Sequence, residues 1–283
     1  MAFSTFAELL EAARDHGSLA AAALAREALE SDQPEDVLRD RMAASLDVMR
    51  EAVRTGLAGG LRSRSGLVGG DARLLAESDS GPVGGVFTRA LAGALAIAEV
   101  NATMGRVVAA PTGGAAGVLP AVLLTLSEDR DLPDERIVDG LFAAAAIGAV
   151  IAARTDLSGA AAGCQAEIGA AAAMAAGAGT ELLGGSAEQA GHAASLALQG
   201  LMGLVCDPVG GLVEVPCVAR NGTATAVALA AIEMAGAGVT FPIPFDEVAD
   251  ALAHVGRALP SSLRETAQGG LAVTRAAREL TGG

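Results

Sequence analysis

The chain contains no lysine, no tryptophan and no tyrosine, and only three cysteines among its 283 residues. Each shortage removes a class of chemistry. All 19 basic residues are arginines, so no side-chain amine can form the internal aldimine of pyridoxal phosphate catalysis. A phosphate-binding loop that depends on lysine is excluded for the same reason. Three cysteines in a chain of this length do not make a disulfide framework. Charged residues are 18% of the total and the net charge is −14, which leaves no basic footprint for nucleic acid. A small metabolite or a protein partner is expected instead. Long hydrophobic runs are lacking too. Residues 140–153 are apolar but bounded by Asp139 and Arg154, short of the roughly 20 residues a bilayer-spanning helix needs. The uncharged run 107–127 is interrupted by Pro111, Gly113, Gly114, Gly117 and Pro120. The first residues carry acidic side chains early and no apolar core ahead of a cleavage site, so they do not read as a signal peptide. No membrane association is expected, and the cytoplasm is the expected compartment.

What is present is alanine, glycine and helical periodicity. Mean hydropathy is +0.45, so most helices must be buried on more than one face. Thr5-Phe6-Ala7-Glu8 reads as a capping box that opens a helix ending near Gly17. A second helix starts after Ser18 and fades at Ser31-Asp32. A third follows Pro34, with Leu38, Met42, Leu46 and Met49 on one face. Residues 56–86 are rich in glycine and serine and read as an irregular segment. Beyond them, helices are expected at 87–101, 118–126, 134–153, 164–178, 186–204, 217–235 and 246–257. Strand alternation is absent, and alanine is depleted in strands. The expected fold is all-α: one domain over 1–283, with N-terminal helices (1–60), a glycine-rich segment (61–86) and a helical core (87–283) whose small side chains let helices pack closely.

The cysteines are Cys164, Cys206 and Cys217. Cys164 and Cys217 fall at expected helix N-termini, where unpaired N–H groups and the helix dipole favour a thiolate. Cys206 follows a helix end in a glycine-rich turn. Asp207-Pro208 after Cys206 and Pro216 before Cys217 stiffen the backbone as iron–sulfur ligands often require. Three readings remain open on the residues alone. The thiols are buried small hydrophobes, or they hold zinc with one of His16, His192 or His254, none of which lies at ligand spacing, or they hold a cubane cluster with one iron left open.

Five blocks narrow the choice: SGLVGGDA (65–72), EVNATMGRVVAAPTGGAAGVLPAVL (99–123), SGAAAGCQAEIGAAAAMAAGA (158–178), GLVCDPVGGLVEVPCVARN (203–221) and LRETAQGGLA (263–272). In content and order they resemble the iron–sulfur-dependent L-serine dehydratases, specifically the alpha chain of the two-subunit form. The resemblance implies an all-helical catalytic domain with an oxygen-labile 4Fe–4S cluster on Cys164, Cys206 and Cys217. It implies β-elimination of L-serine to pyruvate and ammonia, the open iron acting as a Lewis acid on the hydroxyl. Single-chain members add an α/β domain, and some place a C-terminal cysteine on the open iron. This sequence shows neither, so a separate beta chain, self-association, or both are expected. At Thr112-Gly113-Gly114-Ala115 relatives often carry asparagine or alanine at the second position.

Candidate site residues follow. Thr112, Gly113, Gly114 and Ala115 form a turn opening the helix at Val118, suited to a substrate carboxylate, or else a plain helix entry. Asn101 is a candidate for the substrate ammonium, or caps a helix. Arg220, three residues after Cys217, is a partner for substrate or cluster charge, or makes a surface ion pair. Glu167, three after Cys164, is a proton acceptor or structural. His192 is expected to be a packed helix residue. The sequence leaves the general base unassigned. Two other functions stay in view, a cysteine desulfidase using the same open iron and a non-catalytic iron–sulfur sensor or assembly subunit.

Overall fold

The helix boundaries follow their caps. In the computed structural model, which describes residues 3–78 and 81–282, α1 runs Phe6–His16. Thr5 Oγ1 accepts from the Glu8 N–H, and Gly17 closes the helix in a left-handed conformation. The expected box is only half made, because the Glu8 carboxylate turns to the N–H and hydroxyl of Ser4 instead of back to Thr5. Helix α2 (Leu19–Ser31) is capped by Ser18 and ends on left-handed Asp32, and α3 (Glu35–Ala58) follows Pro34. Leu38, Leu46 and Met49 are buried on its inner face, with Met42 packed beside them.

The glycine-rich stretch is less irregular than its composition suggests, since it contains α4 (Asp71–Ala76). A helix this short needs an external cap, and Glu99 supplies it. That fully buried carboxylate accepts the N–H groups of Gly70, Asp71 and Ala72, a favourable use of negative charge at a helix start. Then come α5 (Gly85–Ala102), α6 (Val118–Arg130), α7 (Asp134–Ala152) and the single turn α8 (Gly159–Ala162). A π-helical turn, Gln165–Gly169, leads into α9 (Ala170–Leu182). The expected helix from residue 164 therefore starts wide, as π turns at functional sites commonly do. Helix α10 (Ala187–Gly200) stops short of residue 204, and α11 (Cys217–Gly236), α12 (Phe245–Ala258) and α13 (Arg275–Thr281) complete the set. The short α8 and α13 carry too little periodic sequence to be visible beforehand.

The all-α expectation holds: the described residues form no strand, only one isolated parallel bridge between Cys206 and Arg264. Helix α9 lies at the centre, surrounded by α6, α7, α10 and α11, and almost every residue in it is buried. Alanine and glycine make this possible. A Cβ on Gly56 would sit 2.4 Å from the Ala96 carbonyl oxygen, so α3 and α5 touch backbone to backbone there. His192 is indeed a packed residue, its Nδ1 accepting the Phe241 N–H at 3.2 Å. No helix among the described residues is long and apolar enough to cross a membrane.

Candidate active site

The three cysteines come from three different breaks between helices and line one small cavity of about 40 Å³ with Gly114, Glu167, Ile168, Pro208, Val213 and Glu265. Cys164 and Cys206 are buried and Cys217 half-buried. Cys164 precedes the π turn, and Cys217 is the first residue of α11. Cys206 is held by the bridge, its N–H donating to Leu263 O at 2.9 Å and its carbonyl accepting from Glu265 at 2.8 Å. Close approach depends on Gly159, where a Cβ would lie 2.6 Å from Glu167 Oε2 and 2.8 Å from Cys206 Sγ.

The thiols are electrostatically unequal. A hydrogen bond from the Cys206 thiol, with help from Arg220, holds Cys164 below the usual thiol range against the effect of burial. Cys206 is pushed up, by that same bond to Cys164 and then by burial. Burial pushes Cys217 up to about 12. Among the described residues no group of three or more His, Cys, Asp or Glu side chains is placed to hold a single metal ion. The donor set does suit an iron–sulfur cluster: three soft sulfur ligands facing one space, with no fourth cysteine in the chain. The present cavity is smaller than such a cluster. Between the lining residues Pro208 and Val213 the chain makes a turn, Val209–Gly211, in which Gly210 and Gly211 both have positive φ, a conformation glycine adopts without steric cost.

Arg220 lies inside the molecule, not in a surface ion pair. Its guanidinium donates to Val205 O at 2.9 Å and pairs with the buried Asp207 at 2.8 Å, and its charge helps lower the Cys164 thiol. It therefore ties α11 to the segment carrying Cys206. Glu167 is half-buried, and burial raises its carboxyl above the usual range although a hydrogen bond from Thr112 opposes this. Thr112 Oγ1 donates to Glu167 Oε1 at 2.8 Å. The Thr112–Ala115 stretch forms a 3-10 turn ahead of α6, and among the described residues the N–H groups of Gly113 and Gly114 have no hydrogen-bond partner. Asn101 sits behind this turn, its Oδ1 3.2 Å from where a Gly113 Cβ would be, and does not line the cysteine cavity.

Several residues join these parts without having stood out in the sequence. Asn221 is fully buried; its Oδ1 accepts from Gly117 at 3.0 Å, and its Nδ2 donates to Gly114 O at 2.8 Å and Cys217 O at 3.0 Å. It lies four residues after Cys217, a helical spacing that marks it in retrospect. Buried Gln165 accepts from Gly203 and donates to Ala162 O and Leu252 O. Asp207 also accepts the Leu271 N–H at 2.7 Å. Glu214 accepts from the hydroxyls of Ser63 and Ser65 and from the Ser65 N–H, fastening the glycine-rich segment to the cysteine loop. Glu265 belongs to a block far along the chain, and nothing local announces its place against Cys206. The five sequence blocks are thus one connected structure. A separate cavity of about 580 Å³ between α3, α4, α5 and α6 is lined by no cysteine, and the arginines at its rim are already paired with carboxylates.

Comparison with known proteins places the chain in a family. The family pattern described as Serine dehydratase alpha chain matches residues 14–272. The chain is similar to the "Probable L-serine dehydratase, alpha chain" of Bacillus subtilis, 43% identical over 98% of this chain and 94% of that one. It is 39% identical to the "L-serine dehydratase, alpha chain" of Peptoniphilus asaccharolyticus, over 91% of this chain and 89% of that one. The "L-serine dehydratase" of Streptomyces coelicolor is 40% identical over 96% of this chain but only 61% of its own length. With a family match over most of its length and full-length relatives at this identity, the chain belongs to the serine dehydratase alpha chain family.

Proposed function

We propose that this protein is the catalytic chain of an L-serine dehydratase that eliminates water from L-serine, giving pyruvate and ammonia, with a 4Fe–4S cluster held by Cys164, Cys206 and Cys217. The observation that carries the reading is the meeting of all three cysteines, Glu167 and the Thr112–Ala115 turn around one cavity. A cluster bound there would supply a Lewis-acidic iron to the departing hydroxyl.

The chain's own residues do the rest. The unpartnered N–H groups of Gly113 and Gly114 receive the substrate carboxylate, as anions are received at helix entries. Glu167, held in place by Thr112, is the carboxylate positioned to take the α-proton. Arg220 balances thiolate charge beside Cys164 while fixing the Cys206 segment through Val205 and Asp207. Neighbouring helices and the Val213 side chain limit access of water. Elimination leaves an enamine that hydrolyses to pyruvate without further help from the protein. In keeping with the alpha-chain relatives, a separate beta chain completes the enzyme. Exposed Val213, Leu271, Val273 and Leu280 lie on segments near the cysteine cavity and give such a chain, or a second copy, an apolar surface to cover.

Anaerobic reconstitution with iron and sulfide, with and without the beta chain, followed by pyruvate, ammonia and sulfide assays on L-serine, L-threonine and L-cysteine, tests the proposal. Pyruvate and ammonia from L-serine are expected. Sulfide release from L-cysteine in preference would make the protein a desulfidase, and a fully loaded cluster with no turnover in either form would make it a sensor or assembly subunit.

A further inference from the structure

Glu265 is an exposed residue in an uncommon backbone conformation. Its φ is +63°, a left-handed conformation uncommon for residues with a side chain and often retained at functional sites. Two backbone hydrogen bonds enforce it, Cys206 N–H to Leu263 O at 2.9 Å and Glu265 N–H to Cys206 O at 2.8 Å. The result is that Glu265, a solvent-exposed residue, lines the cysteine cavity together with Gly114. Its charge reaches Glu167, Cys206 and Cys217. Among the described residues the Glu265 carboxylate has no ion pair and no side-chain hydrogen bond.

The charges around the cavity are unbalanced. Two carboxylates and three sulfurs line it, Arg220 is committed to Asp207 and Val205 O, and Arg264, beside Glu265, donates to Ala161 O. Glu167 is already engaged by Thr112. A dipolar ligand entering this space would turn its negative end to the Gly113 and Gly114 N–H groups and its positive end to the remaining free carboxylate. Neutral Asn101, behind the turn, offers no comparable attraction.

We propose that Glu265 receives the ammonium group of the substrate and so makes the site selective for 2-amino acids over β-hydroxy acids that lack the amino group. The proposal rests on the serine dehydratase reading of the same cavity. The test compares the reconstituted wild-type enzyme with its beta chain against E265Q and E265D, measuring L-serine kinetics and inhibition by 3-hydroxypropanoate, which keeps the carboxylate and hydroxyl and lacks the amine. Losing a charged hydrogen bond should raise the serine KM of E265Q about 10–100-fold, with kcat much less affected. Inhibition by 3-hydroxypropanoate should be unchanged, and E265D should recover part of the loss. Visible absorption and a thermal melt confirm that the variants keep the cluster and the fold. An unchanged serine KM in E265Q overturns the proposal. So does an equal weakening of serine and 3-hydroxypropanoate, which would mark Glu265 as a general support of the site. A wild-type enzyme that is inactive on serine defeats the parent reading, and this proposal falls with it; an active wild type matched by E265Q defeats this proposal alone.

Discussion

Thr112 Oγ1 lies 2.8 Å from Glu167 Oε1, so the turn ahead of α6 and the π turn after Cys164 are joined by a single hydrogen bond between side chains. Glu167 has two rotatable bonds more than a serine-sized group and would otherwise sample several positions in the cavity. Replacing Thr112 by valine keeps the shape of the residue and removes the donor. Turnover of L-serine should fall on the order of 10²-fold through misplacement of the carboxylate, while the cluster absorption stays that of the wild type. Full activity in T112V would show that Glu167 does not need this anchor.

Asn221 is the second joint, and its loss should be felt without any cofactor present. In N221A the Gly117 N–H and the Gly114 carbonyl lose their buried partner, which costs about 1–3 kcal/mol for each group left unsatisfied. Asn221→Asp can accept from Gly117 but cannot donate to the two carbonyls it would then face. Both variants should show a lower urea midpoint than the wild type before reconstitution. Equal midpoints would mean that water replaces the side chain at no cost.

Acid should loosen the glycine-rich segment through Glu214. Burial raises this carboxyl, but hydrogen bonds from Ser63 and Ser65 outweigh it and leave the folded-state value below 4.5. A depressed carboxyl contributes stability above its unfolded pKa and loses it as the pH falls through the folded value. E214Q should therefore be less stable than the wild type at about pH 7, and the gap should narrow as the pH falls below the usual carboxylate range. Denaturant titrations at both ends measure it; a gap independent of pH would place the effect in packing and not in charge.

The optical spectrum offers a direct check on the cysteines. With no tryptophan or tyrosine and only six phenylalanines, the polypeptide is nearly transparent at the usual protein wavelength, so absorption gained on reconstitution belongs to the cluster. C164A, C206A and C217A should each lose that absorption, because no neighbouring group can replace the thiolate. G159A should weaken it as well, since its added methyl would meet both Cys206 Sγ and Glu167, while helical content stays unchanged. A stable wild-type spectrum in any one cysteine variant would remove that residue from the ligand set.

Much of this was legible locally. Helix α1 could be bounded from Thr5 and Gly17 because caps act within one turn, and the all-α character followed from alanine content and the absence of alternation. The three cysteines could be singled out because proline and glycine beside them constrain the backbone wherever the chain runs. The alternatives for Arg220 could not be separated in advance: a guanidinium three residues from Cys217 has the same local sequence whether it meets solvent or Asp207. Its burial against Val205 and Cys164 depends on how α11 packs on the segment before it. Glu99 illustrates the same limit. A glutamate inside an apolar helix has no local signature of the three N–H groups it caps on a different segment. Glu265 reaches Cys206 only through a bridge between residues far apart in the chain. Sequence by itself determined the longer helices and the identity of the candidate donor atoms, because caps, periodicity and side-chain chemistry are short-range. Only the tertiary structure decided which carboxylates face the sulfurs and which are spent on backbone N–H groups, because that choice is made where separate segments compete for the same buried space.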